Sequence, residues 1–327
     1  MTLRRLRLGI ALSDRVLPFL TGEVKPARIA LDFDPADVDN LFWRALHSGD
    51  FDVTEMSLAA WCILCSRGER PFVGLPVFTS RMFRHGSIYV NAASGIDRPQ
   101  DLTGRRIGVP EYQMTLAVWM RGILAEFHGV APDRVTWVRG GVDKPGRKER
   151  IDLRLPARYR VEDAPEGDTL DRMLVEGRID ALMSPRIPPS FAAGDPRMRR
   201  LFADPRAAEE SYFRATGIVP PMHMICLRRP VYEAEPWLAQ AVFDAFAAAK
   251  QAAEARLRDT DSLFCMVPWL ESDIARAEAV LGRDFWPYGL AANRPALQRF
   301  IDYLGAQDLL AAPLAPEDLF APDLLDS

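Results

Sequence analysis

Residues 51–76 read FDVTEMSLAAWCILCSRGERPFVGLP, and this stretch decides the fold class. Phe51–Glu55 reads as a short strand. Ser57 stands as an N-cap before Leu58–Ser66, whose apolar run Leu58–Leu64 marks a buried helix. Phe72–Pro76 is the next short strand. The same alternation extends outward in both directions. Leu6–Leu12 and Ala27–Phe33 are strands, and Val38–Ser48 is a helix with Val38, Leu41, Phe42, Ala45 and Leu46 on one face. Ser87–Asn91 is a further strand, after which the pattern restarts. Arg105–Val109 is a strand, Met114–Phe127 an amphipathic helix and Val135–Val138 a strand. A Gly-, Pro- and charge-rich excursion runs from Arg139 to about Gly167, then a helix at Thr169–Glu176 and a strand at Ile179–Met183. A third block after Pro220 holds the strand Met224–Leu227, a long helix Trp237–Arg258 and short helices to the end.

This rhythm predicts an α/β protein with two mixed, mostly parallel sheets flanked by helices. Two α/β blocks with a return segment imply two lobes, the chain crossing near Ser87–Asn91 and Pro220–Leu227. The expected division is 1–90 with 225–327 in one lobe and 91–224 in the other. A ligand cleft is expected between them, because open α/β sheets bind ligands at the carboxyl ends of their strands.

Composition narrows the function. The 327 residues are 48% hydrophobic and 26% charged, as in ordinary globular chains. A net charge of −4 gives no basic excess to displace counterions from nucleic acid. No stretch of about 18 apolar residues predicts a membrane span. The basic-then-apolar start MTLRRLRLGIAL stops at Ser13-Asp14-Arg15, short of the roughly 7–15 residues of a secretory core. It reads as the first strand of a cytoplasmic protein. Cys62 and Cys65 form a C-x-x-C inside the buried helix, Cys226 and Cys265 stand alone, and no partner motif suggests zinc. Buried reduced thiols are the expectation, and no metal is expected. Glycine-rich nucleotide loops, a nucleophile elbow and H-E-x-x-H are absent from the sequence.

Candidate chemistry lies at strand ends and crossings. Thr79-Ser80-Arg81-Met82-Phe83-Arg84-His85 would place Arg81, Arg84 and His85 in one cationic group if it formed a helical turn. Guanidinium forks suit carboxylates because they donate two parallel hydrogen bonds. Gly108–Thr115 runs from a strand through Glu111, Tyr112 and Gln113 into a helix N-terminus, where free N–H groups make an anion site. Glu111 beside such anions would have a raised pKa and could hold a proton. Glu55 and Ser57 end one strand, and Ser184 and Arg186 end another. His223 follows Pro220-Pro221 at the second crossing, whereas His47 and His128 look like helix-cap residues.

Six segments in chain order carry a family resemblance: FDVTEMSLAAW (51–61), PVFTSRMFRHGSIYVN (76–91), GRRIGVPEYQMTLAVWMRGIL (104–124), GRIDALMSPRIPPSF (177–191), TGIVPPMHMICLRRPVYEAEPWLAQ (216–240) and FWPYGLAANRPAL (285–297). Together they resemble the 4,5-dihydroxyphthalate decarboxylase family, whose fold is that of type 2 periplasmic binding proteins. PEYQMT and SRMFRH are the specific elements. The resemblance implies a non-oxidative decarboxylase without a cofactor, acting on a small aromatic carboxylate. In that reading Arg81, Arg84 and Arg186 anchor carboxylates, with Glu55, Ser57, Tyr112, Gln113, Thr115 and Ser184 lining the substrate. His223 or Glu111 delivers a proton, with His85 as the alternative. A cytoplasmic solute-binding or sensor protein for such an acid, and a chorismate-dehydratase-like lyase, are the competing readings. The sequence is compatible with a homo-oligomer.

Overall fold

The structure, a computed structural model, describes residues 3–327. Its strands are β1 Arg4–Ile10, β2 Ile29–Pro35, β3 Val53–Ser57, β4 Phe72–Arg81, β5 Ile88–Asn91, β6 Arg106–Val109, β7 Thr136–Arg139, β8 Arg160–Asp163, β9 Ala181–Met183, β10 Met198–Arg200 and β11 Pro221–Arg228. The chain divides into two compact units. Unit 1 holds the residues up to Arg81, Pro221–Gln298 and Leu314–Ser327; unit 2 holds Met82–Pro220 and Arg299–Pro313. The boundaries therefore fall at Arg81/Met82 and Pro220/Pro221, where the sequence pattern placed them at 90/91 and 224/225. Hydrogen bonding explains the difference. β5 pairs with β9 and β10 of unit 2, whereas β11 pairs from Pro221 onward with β3 and β4 of unit 1. Residues 299–313 belong to unit 2, which the sequence pattern did not suggest.

Unit 1 is built on a five-stranded sheet of order β2-β1-β3-β11-β4. β1 is parallel to β2 and β3, and β11 is antiparallel to β3 and β4. β4 therefore runs with β3, and the start of β11 lies on the edge where β1, β3 and β4 end. The core packs Leu6, Leu8, Val53, Leu75 and Ile225 of the strands against Val242 and Phe246 of the helix Leu238–Leu257. β3 and the helix Leu58–Ser66 are buried along their whole length; the helix reads as a nearly continuous apolar run, whereas β3 buries the polar Thr54, Glu55 and Ser57 as well. Ser57 caps that helix as expected, accepting the Ala60 N–H at 3.4 Å.

Unit 2 has a six-stranded sheet of order β10-β5-β9-β6-β7-β8. β6, β7, β8 and β9 are parallel, and β5 is antiparallel to β9 and β10. The helix Thr115–His128 ends at Gly129, which takes the left-handed conformation that favours glycine. Inside it, Gly122 lets the ring of Tyr303 approach so closely that an added Cβ would overlap it. Gly122→Ala should therefore lower stability by about 1–3 kcal/mol, read as a reduced urea midpoint at unchanged slope.

The thiols of Cys62, Cys65 and Cys226 are buried, and burial pushes that of Cys65 up to about 12. Cys265 is exposed, against the expectation of four buried thiols, because the segment around it carries apolar side chains in solvent. Among the described residues no helix is long and apolar enough to cross a membrane. None of them forms a His/Cys/Asp/Glu group suited to a metal ion.

Candidate active site

The edge of the unit 1 sheet where β1, β3 and β4 end gathers a buried polar cluster. Glu55 near the end of β3 lies opposite Ile225 in register, so His223, two residues along β11, is its diagonal neighbour. The Glu55 carboxylate meets the His223 Nδ1 at 2.8 Å across 168 residues of sequence. It also accepts the Thr79 hydroxyl at 2.9 Å and the Ala11 N–H at 3.1 Å. Burial alone would raise the Glu55 pKa. The hydrogen bond and charge of His223, with the Ala11 and Thr79 donors, outweigh burial and hold the carboxyl below its ordinary value. Register shifts in β11 flank His223, a local irregularity of the kind that re-aims a side chain. Phe42 packs edge-on against the imidazole, ring centroids 4.9 Å apart. With Nδ1 committed to Glu55, Nε2 is the nitrogen left for chemistry, and 18% of the side chain remains exposed.

Arg81 closes β4 rather than opening a helical turn, so it belongs to unit 1 while Arg84 and His85 belong to unit 2. The expected compact group of these three is not formed within either unit. The Arg81 guanidinium binds the Asn293 side-chain oxygen and approaches the Pro287 carbonyl at 3.4 Å. Burial lowers its pKa to about 10, so it stays cationic at neutral pH. Ser57 is used as the helix cap already described.

Unit 2 likewise collects polar residues at one sheet edge. Arg84 is half-buried and its Nε is buried without a hydrogen-bond partner. Burial lowers its pKa to about 10, with Glu209 opposing. His85 is buried against Phe202 and Tyr212, and burial drives its pKa down to about 4 with help from His128. Its Nδ1 lies 4.0 Å from Glu209 and has no hydrogen-bond partner, so His85 is a neutral imidazole and not an ion-pair partner. That argues against its use as a proton donor.

Glu111 does not stand beside an open anion site. The excursion after β7 folds back and places Arg147 at 2.6 Å and Arg150 at 3.2 Å from the Glu111 carboxylate. The anion site itself exists, but Glu149 fills it. Its carboxylate accepts the Tyr112 N–H at 2.5 Å and the Gln113 N–H at 3.3 Å, with Arg139 at 3.6 Å. Burial raises the Glu149 pKa, and the neighbouring Glu111 adds to the effect. Gln113 is further tied to the Ile151 carbonyl at 2.9 Å. Thr115 is buried in the first turn of its helix. Ser184 spends its hydroxyl on its own turn, donating to the Arg186 carbonyl at 2.5 Å and accepting the Arg186 N–H at 3.1 Å. The Arg186 side chain is exposed.

Sequence reading missed Arg121. It is buried under Tyr112 and Trp137, 3.8 and 5.2 Å from their ring centroids, and donates to Gln307 and to the Tyr112 carbonyl, each at 2.7 Å. Burial lowers its pKa. Its signal was available: it is the one charge within the apolar run LAVWMRGIL at 116–124. Arg121 fixes the Glu111–Gln113 loop from beneath.

No family model matches the chain. It is 39% identical over 325 residues to the 4,5-dihydroxyphthalate decarboxylase of Comamonas testosteroni, covering 99% of this chain and 98% of that protein. It is 43% identical over 215 residues to the 4,5-dihydroxyphthalate decarboxylase of Pseudomonas putida, covering 65% of this chain and 83% of that one. Among solved structures it resembles the periplasmic aliphatic sulphonate binding protein SsuA from Escherichia coli, with a TM-score of 0.57 over 100% of both chains at 14% identity. That likeness shows the fold, the type 2 periplasmic-binding-protein fold. Identity sustained over nearly the whole length of both chains shows more than the fold: the chain belongs to the 4,5-dihydroxyphthalate decarboxylase family, a family of carboxy-lyases.

Proposed function

We propose that the protein converts 4,5-dihydroxyphthalate, or a closely related hydroxylated aromatic acid, to protocatechuate and carbon dioxide, with His223 delivering the proton. The observation that carries the assignment is the hydrogen bond at 2.8 Å between the buried Glu55 and the partly exposed His223. In the reaction the phenol para to the leaving carboxylate gives up its proton to solvent and pushes electrons into the ring. The carboxyl-bearing carbon takes a proton from His223 Nε2, giving a dearomatised dienone. The bond to the carboxylate then breaks, its electron pair restores the ring and the phenol oxygen, and carbon dioxide leaves. One proton enters the ring for each carbon dioxide released, and the phenolic oxygen is reprotonated. Glu55 holds the imidazole through Nδ1 and leaves Nε2 for the transfer. Solvent, which reaches the partly exposed imidazole, restores its proton.

Arginines anchor the substrate carboxylates in this reading. Among the three assigned from the sequence, Arg84 draws support from its buried Nε, which has no hydrogen-bond partner. Arg81, bound to Asn293, and the exposed Arg186 have less support for direct contact. Arg84→Ala should raise KM about 10- to 100-fold, the value of a charge-assisted hydrogen bond, with a smaller change in kcat. The test of the function is a screen of hydroxylated phthalates and benzoates read by carbon dioxide release, with and without chelator. Turnover of 4,5-dihydroxyphthalate is expected in both. Binding without release would favour the solute-binding reading.

A further inference from the structure

FWPYGLAANRPAL at 285–297 contributes no residue to the catalytic scheme, yet it is hydrogen-bonded to β4 of the unit 1 sheet. Trp286 donates its indole N–H to the Phe78 carbonyl at 2.7 Å, and Gly289 donates to the Pro76 carbonyl at 2.8 Å. Asn293 braces the turn from within, donating to the carbonyls of Pro287 at 3.0 Å and Gly289 at 2.7 Å. These bonds fix Trp286 and Tyr288 beside the end of β4. The Arg15 guanidinium, from the loop after β1, lies 4.4 Å over the Trp286 ring. It binds Asp14 at 2.5 Å and the Thr79 carbonyl at 2.8 Å. Thr79 thus joins two clusters, with its hydroxyl on Glu55 and its carbonyl on Arg15.

Two donors in this cluster are left over. The Arg15 Nε and the Tyr288 hydroxyl are both buried without a hydrogen-bond partner. A buried donor left unpaired costs about 1–3 kcal/mol, so native structures keep few of them without a reason. Burial raises the Tyr288 pKa, and Arg15 is the charge that opposes this most, so the phenol remains a protonated donor in reach of a guanidinium's field. Two unspent donors beside a fixed indole, one of them on a guanidinium already held by Asp14, suit an anionic oxygen on an aromatic ring.

We infer that Arg15 and Tyr288 form a subsite for the carboxylate that the reaction leaves on the ring. The inference rests on the decarboxylase reading and adds to it: the subsite makes the second, ortho carboxylate a specificity requirement. It also predicts that the product, which keeps that carboxylate, binds through it.

The test is calorimetric binding of 3,4-dihydroxybenzoate and of catechol, which lacks the carboxylate, to the wild-type protein and to Tyr288→Phe. That variant deletes a hydroxyl with no hydrogen bond to lose, so thermal stability should be retained. The expected result is a 10- to 100-fold loss of 3,4-dihydroxybenzoate affinity, an equal rise in KM for 4,5-dihydroxyphthalate and no change for catechol. Arg15→Lys, which keeps the charge but lacks the Nε donor, should reproduce the selective loss. Unchanged 3,4-dihydroxybenzoate affinity and unchanged KM in Tyr288→Phe would overturn the subsite while wild-type turnover left the decarboxylase standing. A wild-type protein that neither binds nor turns over 4,5-dihydroxyphthalate would overturn both.

Discussion

His223→Ala should lower kcat by about 10²–10⁴-fold, the range supplied by a positioned general acid, while KM changes little. His223 is singled out by elimination among the three candidate proton donors. His85 is neutral and enclosed by aromatic rings, and Glu111 is engaged by two guanidinium groups. His223 combines an Nδ1 committed to a buried carboxylate with partial exposure of its side chain. Its Nδ1 partner is a carboxylate held in place by Thr79 and Ala11, so the ring orientation is set before any substrate arrives. Stopped-flow or steady-state release of carbon dioxide, with substrate affinity measured on the same variant, checks the prediction. Equal losses in turnover and affinity would assign His223 an anchoring role.

Glu55→Gln should cost both activity and stability. The amide keeps one acceptor oxygen, but its NH₂ must face either the Ala11 N–H or the donors of Thr79 and His223. An unsatisfied buried donor and the loss of a charged partner together cost about 1–3 kcal/mol. In turnover the imidazolium loses its counter-charge, so kcat should fall by about 10-fold or more. The pH dependence separates this from general loosening. Because the folded state holds the Glu55 pKa below its unfolded value, its contribution to stability is present above the unfolded pKa. It is lost as pH falls through the lowered folded value. Denaturant midpoints followed from neutral to acid pH should fall in the wild type, and that acid limb should be shallower in Glu55→Gln. Parallel curves would remove Glu55 from the titration.

Much of the fold was legible because its signals are local. Ser57 capping a buried helix, the helix Val38–His47, and strands followed by apolar helices all follow from spacing and side-chain type. Element ends moved where pairing partners decide. The end of β4, Thr79–Arg81, is polar and reads as a turn, yet it pairs with the start of β11. β8 carries Arg160, Glu162 and Asp163 on the outer edge of its sheet, with no apolar alternation to betray it. The helix Pro205–Thr216 buries only Tyr212 and left no readable stripe.

The candidate site was legible one residue at a time. Strand-end position picked out Glu55 and the crossing after Pro220-Pro221 picked out His223, but nothing local says that they touch. Glu149, Arg147 and Arg150 lie in a tract that reads as a charged loop, and their docking on residues 111–113 is wholly a matter of tertiary structure. Arg15 and Trp286 lie far apart in the sequence, and the guanidinium meets the indole, 4.4 Å from its centroid, only in the folded chain.

The central claim is proton delivery to the ring carbon that loses its carboxylate. Turnover of 4,5-dihydroxyphthalate in D₂O, with the product followed by proton NMR, tests it most directly. Stoichiometric carbon dioxide is expected, with a single deuterium at the vacated carbon of protocatechuate, and both should slow together in His223→Ala. Unchanged deuterium incorporation and rate in His223→Ala would contradict the assignment, and recovery of intact substrate from the wild-type protein would contradict the reaction itself.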